Sequence, residues 1–234
     1  MVRKKIFIIL IFISIFFVGC NSNNDDNKQQ ILKENSNIGF EDKVKENNKK
    51  EIVIVAYGDS LTQGYGLSRD QAYPSQLENF LKEKGYNVKV HNSGFSGETS
   101  TAALDRLNWV LQLEPDIVIF TTGANDAFRG ISLNLIENNI REVVEILIEN
   151  NITVILGGME IVENLGSDYV KNFRNIYINI SNDYDIGFIE FFLDGVAGNS
   201  SLNLEDEIHP NKAGYKIIVE NNIYPILKNI LNEY

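Results

Sequence analysis

The stretch "EIVIVAYGDSLTQGYG", residues 51–66, joins a run of apolar, mostly β-branched residues to a polar loop with three glycines. The apolar run has the length and composition of a buried strand. A plain strand-to-helix turn needs one glycine and a helix cap, whereas here Gly58, Gly64 and Gly66 flank a single serine. We therefore predict that this loop holds the hydroxyl of Ser60 in the open at the end of a strand.

Beyond residue 66 the chain alternates between short apolar runs and amphipathic helical patterns. The predicted strands are residues 51–57, 86–92, 115–123, 152–158 and 187–192. The predicted helices are residues 73–85, 99–113, 133–151, 168–184 and 211–232, the last of them disturbed at Pro225. Strands that alternate with helices in this way predict a three-layer α/β/α fold with a five-stranded parallel sheet.

The N-terminal residues have a different character. A basic segment, "MVRKK", is followed by the apolar run "IFIILIFISIFFV" and then by Gly19 and Cys20. This is the pattern of a secretory signal, and the apolar run is shorter than the ~20 residues that a membrane-spanning helix needs. We predict a signal peptide over residues 1–19 and export of the rest of the chain.

Cys20 is the only cysteine, so an internal disulfide is impossible. Its place directly after the apolar run resembles the lipobox of bacterial lipoproteins, although Phe17 stands where leucine is usual. This resemblance implies that Cys20 carries a lipid that anchors the exported protein to the bacterial cell membrane, at the cell surface or in the periplasm. An uncleaved anchor and a soluble secreted protein with an incidental cysteine are the alternatives.

Residues 20–50 are rich in Asn, Lys, Glu and Asp and contain few apolar residues. Such a segment cannot bury enough surface to fold alone, so we predict a disordered tether. The remaining residues, 51–234, are enough for one sizeable core and too few for two full domains.

The composition limits the possible partners. The formal net charge of −11 argues against nucleic acid as a partner. The sequence has no C-x-x-C, H-E-x-x-H or phosphate-binding loop, and neither histidine has a metal-ligand spacing, so we expect no metal and no cofactor. We expect a monomer that acts on a small-molecule or lipid substrate.

Polar, glycine-bearing or acidic loops follow the first three predicted strands and precede the last predicted helix. In a parallel sheet, ligands bind outside the carboxyl ends of the strands, so these loops are expected to meet there. The residues concerned are Ser60, then Gly94 and Gly97, then Gly123, Asn125, Asp126 and Arg129, and finally Asp206 and His209.

A serine hydroxyl becomes a useful nucleophile when a base removes its proton, and that base works best when a carboxylate holds its second nitrogen. Asp206 and His209 are three residues apart, and Pro210 biases His209 away from helical geometry, so the carboxylate can fold back onto the ring. His91 has no such neighbour and is expected to be structural. We predict a catalytic triad of Ser60, His209 and Asp206.

Acyl transfer also needs donors for the developing oxyanion. The backbone N–H of Ser60, the backbone at Gly97 and the side-chain amide of Asn125 come from three different loops and could supply them. Each has a plainer interpretation, since Gly97 could be only a turn glycine and Asn125 only part of a helix cap.

Together, "GDSL", "SGETS", "GAND" and "DEIHPN" resemble the four motifs of the SGNH (GDSL) hydrolase superfamily. Its hallmark Ser, Gly, Asn and His fall in order on Ser60, Gly97, Asn125 and His209, and Asp206 matches the acid. The longer segments "GDSLTQGYGL" and "GANDAFRGI" are similar to the thioesterase I, lysophospholipase and arylesterase branch. Glu207 departs from the pattern, which usually has a glycine there.

This resemblance implies a flavodoxin-like fold and a serine esterase or thioesterase that needs no cofactor and cleaves lysophospholipid, aryl or fatty-acyl esters through an acyl-enzyme. Two alternatives stay open. One is an esterase that removes acetyl groups from surface carbohydrate or peptidoglycan, because a fold does not decide a substrate. The other is a lipoprotein that binds a ligand and has lost catalysis.

Overall fold

The computed structural model describes residues 50–161 and 165–234, so the predicted signal peptide, Cys20 and almost all of the predicted tether lie outside the described residues. Five parallel strands form one sheet in the order β2-β1-β3-β4-β5. They are β1 (Ile52–Gly58), β2 (Val88–Gly94), β3 (Ile117–Thr121), β4 (Thr153–Gly157) and β5 (Gly187–Ile189). The predicted five-stranded parallel sheet is confirmed.

The strands β2, β1 and β3 end at the same level of the sheet. Gly58 is paired with Gly94 of β2 on one side and with Thr121 of β3 on the other. All five residues of β3 and the last five of β1 are buried, as expected for strands covered on both faces. The loops that follow β1, β2 and β3 therefore leave the sheet at one common edge.

Helices connect the strands and cover the sheet. They are α1 (Ser60–Gln63), α2 (Tyr73–Glu83), α3 (Ser100–Leu111), α4 (Ala124–Phe128), α5 (Leu133–Glu149), α6 (Ser167–Tyr184), α7 (Lys212–Ile217) and α8 (Tyr224–Leu231), with a short 3₁₀ turn at Arg69–Gln71. The helix α5 contacts α3 and α6, whereas α2 contacts α7. Their apolar faces join the strands in one core.

The closing helix and β5 differ most from the sequence prediction, whereas β2 is shifted by two residues and β3 is two residues shorter at each end. The closing helix is interrupted before Pro225, because residues Ile218–Ile223 form a π-helical turn between α7 and α8. Pro225 then lies in the first turn of α8, which follows the π-helical turn without a break in the helical backbone. The strand β5 is only three residues long and does not extend to residue 192. Among the described residues, no helix is long and apolar enough to cross a membrane.

Candidate active site

Ser60 is the first residue of α1, which begins directly after β1. The Asp59 carboxylate caps this helix, because Oδ1 accepts a hydrogen bond from the N–H of Leu61 at 3.0 Å. The helix ends after one turn at Gly64, which has a left-handed φ of 81°. The Asp59 carboxylate thus ties down the start of this helix, and the Ser60 side chain lies at the carboxyl edge of the sheet.

Two glycines in this region are required by close packing. A Cβ added at Gly94 would lie 2.1 Å from the backbone nitrogen of Gln63, and one added at Gly58 would lie 2.2 Å from the carbonyl oxygen of Thr121. The backbone of α1 thus rests directly against the end of β2. This contact explains why the strand ends carry glycines in addition to those of the turn.

His209 lies in a loop that is closed by its own hydrogen bonds. Asn203 and Pro210 form an antiparallel bridge, and the N–H of Leu204 donates to the carbonyl of His209 at 2.8 Å. Within this loop, Asp206 Oδ1 accepts the N–H groups of both Ile208 and His209 at 3.0 Å. The Asp206 carboxylate is therefore folded back toward the histidine, as its three-residue spacing predicts.

The predicted triad residues form one hydrogen-bonded line. Ser60 Oγ lies 2.9 Å from His209 Nε2, and His209 Nδ1 lies 2.7 Å from Asp206 Oδ2. Desolvation acts to raise the pKa of Asp206, but hydrogen bonds from the backbone and ring of His209 and from the Ile208 N–H outweigh it, so this pKa lies below its usual value. An ionised Asp206 accepts the Nδ1 hydrogen and leaves Nε2 free to accept the serine proton.

The ring of Tyr65 packs on the imidazole, with 4.7 Å between the ring centroids of Tyr65 and His209. Its backbone N–H bonds to the carbonyl of Ser60 at 3.1 Å, which places Tyr65 at the end of α1. This contact links α1 to His209, and sequence motifs alone do not signal it.

Gly97 lies in the loop after β2 with a left-handed φ of 78°. Its carbonyl accepts a hydrogen bond from the guanidinium of Arg129 at 2.8 Å. The preceding Ser96 donates its backbone N–H to the side chain of Gln63 at 2.9 Å. The Gly97 loop is therefore tied both to α4 and to α1, and an L side chain at this position would be strained.

The side-chain amide of Asn125 lies close to both neighbouring loops. Its Nδ2 donates to the carbonyl of Glu98 at 3.0 Å and to Asp59 Oδ2 at 3.2 Å. Both amide hydrogens thus have acceptors in this structure, so donation to an oxyanion requires Asn125 to share or exchange one of them. Catalytic hydrogen bonds often tighten only once substrate is bound.

Asp59 is almost fully buried beside the nucleophile. Burial raises its pKa to about 6, against the hydrogen bond from Leu61 that favours the charged form, and the nearby Glu98 carboxylate adds to the increase. A buried carboxylate with a pKa close to neutrality is unusual and marks this loop as electrostatically perturbed.

Asp126 joins the Asn125 loop to α3. Its carboxylate is buried and accepts the backbone N–H of Ser100 at 2.8 Å and the Ser100 hydroxyl at 2.6 Å. The amide of Asn139 donates to the same hydroxyl at 3.0 Å. The sequence placed Asp126 among the residues expected at the carboxyl edge of the sheet, but its partner, 26 residues earlier, carries no local signal.

A buried ion pair lies beneath the site. Glu98 is bound by the guanidinium of Arg106, and that guanidinium also donates to the Ser93 hydroxyl at 2.9 Å and to the Gly58 carbonyl at 3.3 Å. It stacks over the ring of Tyr57 at 4.4 Å. We call Glu98, Arg106 and Ser93 the clamp, because they join the ends of β1 and β2. The sequence analysis did not identify it.

The three loops and His209 surround an open cavity of about 1000 Å³. Ser60, Gly97, Asn125 and His209 all line it, so the structure brings the predicted site residues together. Its walls are mainly apolar and include Leu61, Phe128, Met159, Ile161, Leu193 and Ile208. His91 lies within β2 and does not line the cavity. Among the described residues, no group of three or more His, Cys, Asp or Glu could hold a metal ion.

Comparison with known proteins agrees with this geometry. The model of the GDSL-like lipase/acylhydrolase family matches residues 56–217. The chain belongs to the GDSL-like lipase/acylhydrolase family. This chain is thus an ester hydrolase of that family, and its parallel sheet is the family's fold.

Individual relatives cover most of the described chain. Esterase TesA of Pseudomonas aeruginosa is 30% identical over 76% of this chain and 89% of its own length. Thioesterase 1/protease 1/lysophospholipase L1 of Escherichia coli K12 is 29% identical over 71% and 79%. The crystal structure of the psychrotrophic esterase EstA from Pseudoalteromonas sp., inhibited by monoethylphosphonate, superposes with a TM-score of 0.73 at 32% identity, over 78% of this chain and all of that one.

The position at which this hydrolase departs from the GDSL pattern is also distinctive in geometry. Glu207 has a left-handed φ of 58° and lines the cavity next to Ile208. A glycine adopts this conformation without strain, which gives a physical reason for the usual residue at this position. In this chain Glu207 therefore brings both a strained backbone and a negative charge to the cavity.

Proposed function

We propose that the protein hydrolyses acyl esters or thioesters through a covalent acyl-enzyme, with Ser60 as nucleophile, His209 as general base and Asp206 as the residue that orients the imidazole. The line of hydrogen bonds from Ser60 through His209 to Asp206 is the observation that carries this proposal. Removal of the serine proton during attack requires the hydroxyl and the imidazole to lie within hydrogen-bond distance of each other, as they do here.

In this mechanism His209 removes the Ser60 proton as Oγ attacks the substrate carbonyl, and the same proton then passes to the leaving alcohol or thiol. Water, activated by His209, releases the acid and restores the serine. The N–H groups of Ser60 and Gly97 and the amide of Asn125 receive the developing oxyanion. Ser60 N–H suits this role because the first N–H groups of a helix have no partner within it.

The apolar cavity favours a fatty-acyl group as substrate. A volume of about 1000 Å³ with mainly apolar walls exceeds what an acetyl group would fill. We therefore place this protein with esterases that cleave lysophospholipids or other fatty-acyl esters or thioesters, in keeping with the name of the Escherichia coli relative. Removal of surface acetyl groups is the competing activity that the same triad could perform.

The test is a chain-length series with the full-length protein. Hydrolysis of p-nitrophenyl esters from acetyl to palmitoyl is measured beside Ser60→Ala, and activity that disappears in the variant supports the triad. An optimum at medium or long chains supports a fatty-acyl substrate, whereas an optimum at acetyl contradicts it. A fluorophosphonate probe provides the control for a lipoprotein that only binds its ligand, since such a protein would leave Ser60 unlabelled.

We also propose that Cys20 carries a lipid and keeps the exported enzyme at the outer side of a bacterial membrane. Support comes from the apolar run that ends directly before Gly19 and Cys20. Cells that express the protein are grown with labelled palmitate, and the label should be lost in Cys20→Ser. Equal labelling of both proteins, or no labelling of either, would contradict the proposal.

A further inference from the structure

Four large apolar side chains are exposed at residues that line the cavity or directly adjoin one that does. Tyr65 is 51% exposed, Phe95 64%, Phe128 55% and Ile208 53%. Tyr65, Phe128 and Ile208 line the cavity, and Phe95 directly precedes Ser96, which also lines it. We call these four residues the apolar rim. They come from four separate segments, so no single stretch of sequence reveals them.

The apolar rim is held in place by ordered backbone. The N–H of Phe95 donates to the carbonyl of Gly58 at 2.8 Å. The N–H of Ile208 donates to Asp206 at 3.0 Å, and Tyr65 packs on the imidazole. Phe128 is the last residue of α4. The exposure of the apolar rim is therefore a property of the folded site. Clusters of exposed apolar groups typically mark a surface that contacts a partner.

We propose that the apolar rim docks on the surface of a lipid bilayer, so that an acyl chain passes from the bilayer into the cavity without crossing water. The inference rests on the proposed function, because it assumes a fatty-acyl substrate. The rim is continuous with the apolar cavity walls at Phe128 and Ile208, as a path for an acyl chain requires. Aromatic and aliphatic side chains of this kind insert shallowly at a bilayer surface.

The net charge of the chain favours an uncharged or zwitterionic bilayer surface over an anionic one. The chain carries a formal net charge of −11, so an anionic surface repels it. Contact through the apolar rim therefore suits zwitterionic lipid such as phosphatidylcholine or phosphatidylethanolamine.

The length of the chain before the described domain permits this orientation. The described residues begin at Lys50, at the amino end of β1, whereas the apolar rim lies beyond the carboxyl end of that strand. A seven-residue strand spans about 23 Å. The roughly 30 residues from Cys20 to Lys50 could extend to about 100 Å. A chain anchored at Cys20 can thus bring the rim back to the same membrane.

The sole tryptophan supplies a built-in control for the experiment. Trp109 is 75% exposed, more than any rim residue, and lies near the end of α3. Trp109 is nine residue steps from Ser100, which places it about 13 Å along the helix from the end of α3 nearest the site. It is thus an exposed aromatic side chain outside the apolar rim.

The experiment compares two full-length proteins that each have one tryptophan, in vesicles of phosphatidylcholine brominated on its acyl chains. One is the wild type, and the other combines Phe95→Trp with Trp109→Phe. We expect the bromines to quench the rim tryptophan strongly and Trp109 hardly at all. Equal quenching of both tryptophans, or none at the rim, would overturn the proposal. A rim emission that is blue-shifted before lipid is added would instead indicate contact with a second copy, and would also overturn it.

This readout is independent of catalysis, so the inference and the proposed function can fail separately. Thermal unfolding, compared with the wild type, shows that the Phe95→Trp protein is folded. A kinetic arm then uses Phe95→Ser, with Trp109→Ser as the matched control. Phe95→Ser should lower turnover of lysophosphatidylcholine in vesicles roughly tenfold relative to turnover of a water-soluble acetyl ester, and Trp109→Ser should not change that ratio. An unchanged ratio in Phe95→Ser would count against docking.

Discussion

Two carboxylates near the cavity are each paired with a nitrogen base, but at very different depths. The Glu98 side chain is 1% exposed and is bound by Arg106 beneath the site. The Asp206 side chain is 35% exposed and is bound by His209 at the surface of the site. The first pair belongs to the clamp between β1 and β2, and the second lies in a loop that follows the whole sheet.

The difference in depth separates a pair that supports the structure from a pair that is placed to take part in a reaction. Burial raises the pKa of Glu98 even though Arg106 opposes the shift, and neither residue lines the cavity. In Asp206, burial also acts to raise the pKa, but hydrogen bonds from His209 and Ile208 reverse the result, and the imidazole faces the cavity. We expect loss of the deep pair to reduce stability and loss of the shallow pair to reduce catalysis.

The largest expected effect concerns His209, which belongs to the shallow pair, and Ser60, which is hydrogen-bonded to it. Ser60→Ala and His209→Ala should each lower kcat by about 10⁴–10⁶, and the double variant should lose little more, because a nucleophile and its base act as one unit. The melting temperature of all three should stay within a few degrees of the wild type. Single-substrate kinetics and thermal unfolding measure both quantities. Additive losses in the double variant would show that the two residues act independently.

Arg106→Met tests the deep pair. It leaves the buried Glu98 carboxylate without a counter-ion, which should cost about 3–5 kcal/mol of unfolding free energy. Urea denaturation gives this value. Adding Glu98→Gln removes the uncompensated charge and should recover part of the loss. If Arg106→Met were as stable as the wild type, the clamp would not support the sheet as argued.

Asn125→Ala removes an amide that donates to the carbonyl of Glu98, a residue of the deep pair, and that also lines the cavity beside the shallow pair. Loss of one oxyanion donor should lower kcat by about 10²–10³ with a smaller change in KM. The same variant should label more slowly with a fluorophosphonate. A change confined to KM would indicate that Asn125 binds the ground state of the substrate and the transition state equally.

Asp59 gives a pH dependence of stability that opposes the usual one. Its folded-state pKa of about 6 lies above the unfolded value, so the folded protein binds more protons between about pH 4 and pH 6. This contribution to stability is fully present below pH 4 and is lost as the pH rises through 6, by about 3 kcal/mol in all. Urea unfolding at several pH values should show this slope in the wild type and its loss in Asp59→Asn. An identical slope in both proteins would assign it to another group.

Glu207→Gly should produce the smallest effect and act in the opposite direction. Glycine relieves the left-handed backbone at this position, so the variant should be more stable by up to about 1 kcal/mol. Glu207→Ala is the matched control, since it removes the charge and keeps the strain. Equal stabilisation by alanine would attribute the effect to charge.

Local sequence patterns were sufficient for most of the fold and for the residues of the proposed triad. The β-branched apolar runs predict the strands, and the Asp206–His209 spacing predicts the turn that brings the two side chains together. The clamp was missed because its parts are ordinary polar residues, and nothing local indicates that Glu98 is buried or that Arg106 reaches Ser93. The apolar rim was missed for the converse reason, because an isolated Phe95 or Ile208 predicts burial.

The boundaries of β5 and of the closing helix also depended on distant contacts. The apolar run after Gly187 suggested a longer strand, but the chain leaves the ladder at Ile189. The π-helical turn before Pro225 has no signature in the apolar periodicity. Both are decided by packing against elements far away in sequence.

The buried phenol of Tyr215 donates to the carbonyl of Leu61 at 2.8 Å, across a sequence separation of 154 residues. The contact joins the penultimate α-helix to the helix that carries Ser60, and the pairing of Ser60 with His209 spans almost the same distance. Loop closure of this length comes late in folding, and a ribosome delivers the N-terminal half first. In the proposed mechanism the serine is therefore synthesised long before its base, and an unfinished chain has no base to activate it.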